Sequence, residues 1–279
     1  MKTSNKLLIA FAAALIIVPI LSMVYASKAY YIDSQTWADL EKQNDSFDGK
    51  SENMEAIQLN QFNAISIADG KEYTFYIRLI KDNKFGIKIY KEHKDLVKCS
   101  VDKDGKLQIT LTGKNVERRY INLLIYAPTT NALNVNNAST IELNAKGDSI
   151  VVNLKKFEDF RFGRDAKFQK ASINAEDGYT IFEGNTAAKS IYLNLKNANF
   201  RSAGVSFEDL DIASAGKSDI DVFGGKANKE KYAIRNLALK TTDSANVTFR
   251  SIDIGKAKGS LSDQTIIQIP VANLKQILK

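Results

Sequence analysis

Ser190–Phe223 reads SIYLNLKNANFRSAGVSFEDLDIASAGKSDIDVF, and it contains one pattern twice. An alternating strand around Leu193 passes through the small, polar turn Lys196-Asn197-Ala198-Asn199 into a second strand at Phe200. Ile212 and Ile220 repeat both strands 19 and 20 residues later, across the turn Ala215-Gly216-Lys217-Ser218. Apolar residues at every second position mark half-buried strands. Two short strands within a fixed period of ~20 residues meet the requirement for one coil of a β-solenoid. Each coil sets a residue of one kind at one place, so stacking turns single residues into continuous apolar rows.

The pattern extends in both directions. One series aligns Leu133, Val152, Ile173, Leu193, Ile212 and Leu239, with steps of 19, 21, 20, 19 and 27. A second aligns Ile141, Phe162, Ile181, Phe200, Ile220 and Val247, with steps of 21, 19, 19, 20 and 27. One insertion, Gly224 to Lys231, accounts for the long step in both. A β-sandwich of hairpins also yields strands every 8–12 residues, but it does not require a face pattern to recur at a fixed interval. The expected fold is therefore all-β, a right-handed parallel β-helix with ~20-residue coils, the hand following from the rule for parallel crossovers. With strands ~4.8 Å apart, six coils stack to roughly 30 Å.

Solenoid ends need covers, because open coils present unpaired edges. Short strands FNAISIA, YTFYIRLI, FGIKIY, LQITLTG and INLLIYAP fill residues 62–128, and Asp104-Gly105 is a hairpin turn signal between Val101 and Leu107. These strands are expected to cap the first coil. At the other end, the strand Thr265–Ile269 stops at Pro270, and Val271–Leu278 is expected to lie as an amphipathic turn over the last coil.

The opposite pattern opens the chain. Leu7–Tyr25, LLIAFAAALIIVPILSMVY, holds nineteen residues without a charge. As a helix at ~1.5 Å per residue it would span ~28 Å, close to the thickness of a bilayer core. Lys2 and Lys6 precede it with no acid among the first six residues, which favours a cytoplasmic N-terminus. The organisation expected is a cytoplasmic tail at 1–6, a transmembrane signal-anchor at 7–25, a polar spacer at 26–60 and the β-helix at 61–279. A cleaved signal peptide ending at Val24-Tyr25-Ala26 is the competing reading, but this apolar run exceeds the 7–15 residues usual there. Both readings export the body, and the uncleaved anchor gives a single-pass membrane protein with an extracytoplasmic, periplasmic body.

Composition removes several functions. A net charge of +7, from 39 basic and 32 acidic residues, is spread along the chain, with no basic stripe interleaved by aromatics. Nucleic acid is therefore not an expected partner. The single Cys99 excludes an internal disulfide and any multi-cysteine zinc site. The single His93, in the polar run Lys91–Asp95, reads as a loop residue. Gly-rich phosphate loop, GxSxG elbow and HExxH are all missing. The expectation is no cofactor, no metal and no catalysis.

The order of the pieces resembles a known family, the putative auto-transporter adhesin, head GIN domain proteins. Its Phe-x-x-Ile-x-Ile opening is matched by Phe62–Ile67, its Asp/Asn-Gly-x-Leu-x-Ile segment by Asp104–Ile109, and its strand ending in Pro by Ile121–Pro128. The repeats to about Gly224 complete a match over residues 62–224. Asn, Ala, Asp and Lys replace most of the Ser-Gly-Ser turns usual in the family. The resemblance implies a β-helical fold and an envelope or surface location, and it supplies no catalytic residues.

Outward charges remain as candidates for chemistry. Asp219 and Asp221 flank Ile220 and share a face if that residue points inward, and Arg201 lies one coil away. With Tyr179 as a contact aromatic, these four form the candidate ligand site. The expected function is a membrane-anchored binding or structural module, in adhesion or envelope scaffolding, whose partner is a cell-envelope polymer or a membrane protein. The alternative is a polysaccharide-acting β-helix enzyme that uses the outward carboxylates. Tyr192 fits either the core or the surface, and Tyr232 is a further outward candidate.

Overall fold

A computed structural model describes the backbone of residues 3–30, 46–112, 120–183, 187–225 and 231–278; within 3–30 the side chains at 4–5, 7–10, 13–14, 24 and 26–30 lie outside that description. The chain divides into two compact units, Met1–Asp45 and Ser46–Lys279.

In the first unit, helix α1 runs from Thr3 to Tyr30 with Pro19 inside it. Phe11, Leu15, Ile16, Ile17, Val18 and Ile20 are all exposed. Among the described residues no helix is long and apolar enough to cross a membrane. The membrane-spanning expectation at 7–25 falls partly on side chains outside the description. Trp37 and the rest of 31–45 lie outside the described residues altogether.

The second unit is a β-helix-like stack of parallel strands. Two ladders carry it, because each coil contributes one strand to each. The first ladder contains β9 (Lys167–Glu176), β11 (Ala188–Lys196), β13 (Phe207–Ala215), β15 (Ala233–Thr241) and β17 (Asp253–Ser260), each pairing in parallel with the next. The second contains β10 (Tyr179–Glu183), β12 (Asn199–Ala203), β14 (Ser218–Phe223), β16 (Ala245–Arg250) and β18 (Thr265–Gln268), again all parallel. The 31-residue β8 (Ala132–Phe162) runs continuously through both ladders at the start of the repeat.

The turn that joins the two strands of a coil has a recurring backbone feature. Asn137, Lys156, Asp177, Asn197 and Gly216 all take positive φ, between 48 and 71°. They recur at coil spacing, so one left-handed residue reverses the chain at that corner in five successive coils, whereas residues 242–244, between β15 and β16, turn without one. Gly, Asn and Asp adopt that conformation at lower cost than lysine does.

Inside the first ladder, Val152, Ile173, Leu193, Ile212 and Leu239 stand in register, as the first sequence series anticipates. The second series needs correction. The inward row is Phe160, Thr180, Phe200, Ile220, Val247 and Ile267. Phe162 stacks instead on Phe182, with ring centroids 5.4 Å apart, and Ile181 pairs with Arg201 on the outward side. The slip arises because Thr180, fully buried, occupies a core position that hydropathy assigns to its neighbour Ile181.

The N-terminal end is more elaborate than a simple cap. Strands β2 (Ala64–Ile67) and β3 (Thr74–Lys81) form a coil that pairs in parallel with β8 on one side. On its other side lie β6 (Lys106–Leu111) and β7 (Tyr120–Ala127), also parallel. The spatial order of these coils therefore departs from chain order. Antiparallel strands close the stack: β5 (Val97–Val101) on β6, β4 (Gly86–Tyr90) on β7, and β1 (Met54–Gln58) on β4. The β5–β6 hairpin turns at Asp104-Gly105 as expected, with Gly105 at φ 71° and Val101 opposite Leu107.

Residues 46–60, assigned to the spacer from their polarity, belong to the folded body. Lys88 is buried and donates from Nζ to the Ser46 and Gly49 carbonyls at 2.9 and 2.7 Å, and Phe47 packs edge-on against Tyr126. A Cβ at Gly86 would overlap the Phe47 ring, so glycine is required there. His93 lies in a connecting turn, as its polar run suggests, but it is buried. It is 2% exposed, ending a short 3-10 turn over Lys91–His93 between the rings of Tyr90 and Tyr120. At the far end, helix α2 (Val271–Ile277) covers the last coil, with Asn273 donating to the Ile254 carbonyl at 2.9 Å and Ile277 buried.

Candidate functional site

Because successive side chains on a strand point to opposite faces, every coil presents outward residues that stack into rows as regular as those of the core. The second ladder carries the four residues singled out from sequence. Tyr179 stands opposite Asn199, and Asp219 stands opposite Asn246. Arg201 and Asp221 are direct register neighbours. The structure thus brings the four onto one face, in two adjacent rows.

Their partners fix what that face can do. Asp221 accepts both hydrogen bonds from the Arg250 Nη2, at 3.0 Å each, rather than from Arg201. Arg201 lies 3.9 Å from Glu183. Asp219 accepts from the Asn246 amide at 2.7 Å, while its own N–H donates to Asn199 Oδ1 at 2.8 Å. Each acid is therefore tied to the coil beside it, and none of the four lines any of the clefts described below.

The first ladder presents a different face. Asn134, Asn153 and Asn174 form an amide ladder: Asn153 donates to Asn134 and Asn174 donates to Asn153, both at 2.7 Å. Asn194 stands next in register, and Asn134 closes the near end by donating to the Ile65 carbonyl at 3.0 Å. Beside this row, Glu176 bridges Lys155 and Lys196 at 3.2 and 3.0 Å. The hydrogen bonds from Lys196 and then Lys155 hold the Glu176 carboxyl below the usual range. A shallow cleft of about 410 Å³ follows these residues from Ser66 to Asn194.

A second cleft, of about 670 Å³, continues on the same face toward the C-terminal end. Its lining includes Tyr192, Asp209, Asp211, Asn236, Lys256 and Lys258. Asp209 is engaged, accepting from Ser190 Oγ at 2.7 Å and from the Asn236 amide at 2.8 Å. Those two bonds, Ser190 first, keep its carboxyl below the ordinary aspartate value. Tyr192 is 37% exposed, which assigns it to the surface. Tyr232 packs partly buried against the core.

Sequence reading missed this face because its rows are neutral amides and scattered single charges, none of which forms a motif. A signal was present: Asn153, Asn174 and Asn194 each follow a residue of the inward series. The remaining reactive groups lie elsewhere. Burial pushes the Cys99 thiol up to about 11, so it is protonated at neutral pH. Among the described residues no group of His, Cys, Asp and Glu is placed to hold a metal ion.

A solved structure shares this fold. A protein described as a putative adhesin from Bacteroides fragilis aligns over 78% of this chain and 96% of its own, at 17% identity and a TM-score of 0.50. One described as a putative lipid binding protein from Parabacteroides distasonis aligns over 78% and 94%, at 18% identity and a TM-score of 0.37. Such identities speak to fold alone. No curated protein matches the chain. The family model for the putative auto-transporter adhesin, head GIN domain, matches residues 61–230, which extends the resemblance read from sequence by a few residues at its C-terminal end. With more than half of its length matched, the chain belongs to the putative auto-transporter adhesin, head GIN domain family.

Proposed function

We propose that this protein is a non-catalytic binding module of the cell envelope, a right-handed β-helix held at the membrane by the segment at 7–25, with its N-terminus cytoplasmic and its body outside. Its ligand is an extended envelope polymer lying across the coils of the first ladder, in an adhesive or scaffolding role. One observation carries the reading: the amide ladder and two clefts follow one another on a single face. Stacked solenoid faces serve as extended binding surfaces because one contact type repeats at each coil. Carboxamides suit a neutral polyhydroxylated chain, since each both donates and accepts. Anchoring rests on the uncharged run Leu7–Tyr25, and the envelope location on family membership.

The test is cosedimentation of the detergent-solubilised full chain with isolated envelope polysaccharide, alongside protease digestion of intact and opened cells. Binding that is weakened by Asn174→Leu, with the body digested from outside the cytoplasmic membrane, supports the proposal. A body protected until the cytoplasm is opened, or the absence of any polymer binding, overturns it.

A further inference from the structure

The larger cleft carries a more specific reading, which rests on the polymer-binding function above. Its shape follows from one small residue. Tyr192, Asp211, Ala238 and Lys258 stand in a single outward row on four successive strands. Ala238 leaves a dip between the larger side chains on either side, and the end of the cleft is bounded by Gln276 of α2, whose Oε1 accepts from the Ala257 N–H at 2.6 Å. From Tyr192 to Lys258 is three inter-strand steps, roughly 14 Å at ~4.8 Å each.

Charge is distributed along the cleft in a definite order. Asp209 is already satisfied by Ser190 and Asn236. Asp211, Lys256 and Lys258 have no hydrogen-bond or ion-pair partner among the described residues, and all three line the cleft. Lys256 and Lys258 are two apart on β17 and share a face, roughly 7 Å apart along the strand. That spacing lets two ammonium groups bracket a single anionic group through charge-assisted hydrogen bonds. At the other end the exposed Tyr192 offers a flat apolar ring with a polar tip, beside a carboxylate able to accept hydroxyl protons.

We infer that this cleft is a binding site for an acidic oligosaccharide segment. One sugar ring lies on Tyr192 with its hydroxyls on Asp211, and a uronate carboxylate two or three rings along sits between Lys256 and Lys258. The volume of about 670 Å³ falls within the range of small-molecule sites.

The experiment titrates the full chain in detergent with a galacturonic acid tetramer and, separately, with a neutral glucose tetramer. The acidic oligomer should bind at least tenfold more tightly, and that preference should shrink as salt rises. Lys256→Ala with Lys258→Ala should remove the preference, and Tyr192→Ala should weaken both oligomers. Ala238→Phe, which fills the dip without altering charge, should abolish binding while the melting temperature stays unchanged. Equal affinity for the two oligomers, or acidic binding indifferent to the lysine pair and to Ala238→Phe, overturns the inference. If intact polymer still binds in those variants, the cleft assignment alone falls; if no polymer binds the unmodified chain, the function above falls with it.

Discussion

The two ladders share every coil, yet they differ inside and out. The first has inward rows of aliphatic residues, such as Val152 to Leu239, and outward rows of amides around open clefts. The second mixes sizes in its interior, where Phe160, Thr180 and Phe200 succeed one another, and neutralises its exterior with paired charges such as Asp221 and Arg250. A solenoid thus does not need identical residues in a row. It needs the summed volume of each coil to fill the interior, so a large ring in one coil can compensate for a threonine in the next. What repeats through five successive coils is the backbone corner, held by left-handed residues at coil spacing. Outward rows are then free to diverge, and a cleft such as the larger one arises where a small residue, Ala238, leaves room between bigger side chains.

This contrast can be broken or sharpened by mutation. The largest effect is expected in the second ladder's interior: Phe200→Ala should destabilise by about 3–5 kcal/mol, because a fully buried ring flanked by Thr180 leaves a cavity that small neighbours cannot fill. Urea denaturation would measure it, and a loss below about 1 kcal/mol would show that the mixed-size row is loosely packed. On the first ladder's exterior, Asn153→Ala removes the link that both donates to Asn134 and accepts from Asn174. A cost of about 1–2 kcal/mol is expected from two hydrogen bonds at ~1 kcal/mol each. No change in the midpoint would mean that the amide ladder serves contact with ligand and not stability.

Thr180→Val tests the sequence slip directly. The Thr180 hydroxyl is buried with no hydrogen-bond partner among the described residues, so an isosteric methyl should stabilise by about 1 kcal/mol. Destabilisation would overturn the account of the row. The smallest effect concerns the corner. Lys156 is the one long side chain among the five left-handed corners, and it has φ 51°. Lys156→Gly should stabilise by about 0.5–1 kcal/mol, the αL penalty of ~1–2 kcal/mol less the entropy cost of glycine. Thermal unfolding would show an upward shift, whereas the same change at Lys155, outside the corner, should not raise stability.

Legibility followed the same division. The Leu133–Leu239 series could be read because its core positions are aliphatic and its neighbours polar, so hydropathy and side-chain direction agree. The second series slipped at Thr180 and Ile181, where a β-branched polar residue turns inward and an isoleucine turns outward against Arg201. The four outward residues chosen from sequence do share a face, as alternation requires, but their engagement with Arg250, Asn246 and Glu183 depends on rows two coils deep. The clefts were invisible for the same reason: Ala238 shapes one only through the strands on either side of it.

The amino-acid sequence by itself determined the period, the two strands per coil, the hairpin at Asp104-Gly105, the insertion after Phe223 and the uncharged run that opens the chain. These are local properties, fixed by alternation, turn chemistry and composition within a few residues. Tertiary structure alone decided that the β2–β3 coil inserts between β6–β7 and β8, that residues 46–60 join the body, and that Tyr192, Asp211, Lys256 and Lys258 meet on one face. Each of those outcomes joins residues about 20 to 70 positions apart. Such pairings are chosen by which edges remain unpaired and which volumes remain unfilled once the coils have stacked, quantities that belong to the assembled fold and to no single segment of the chain.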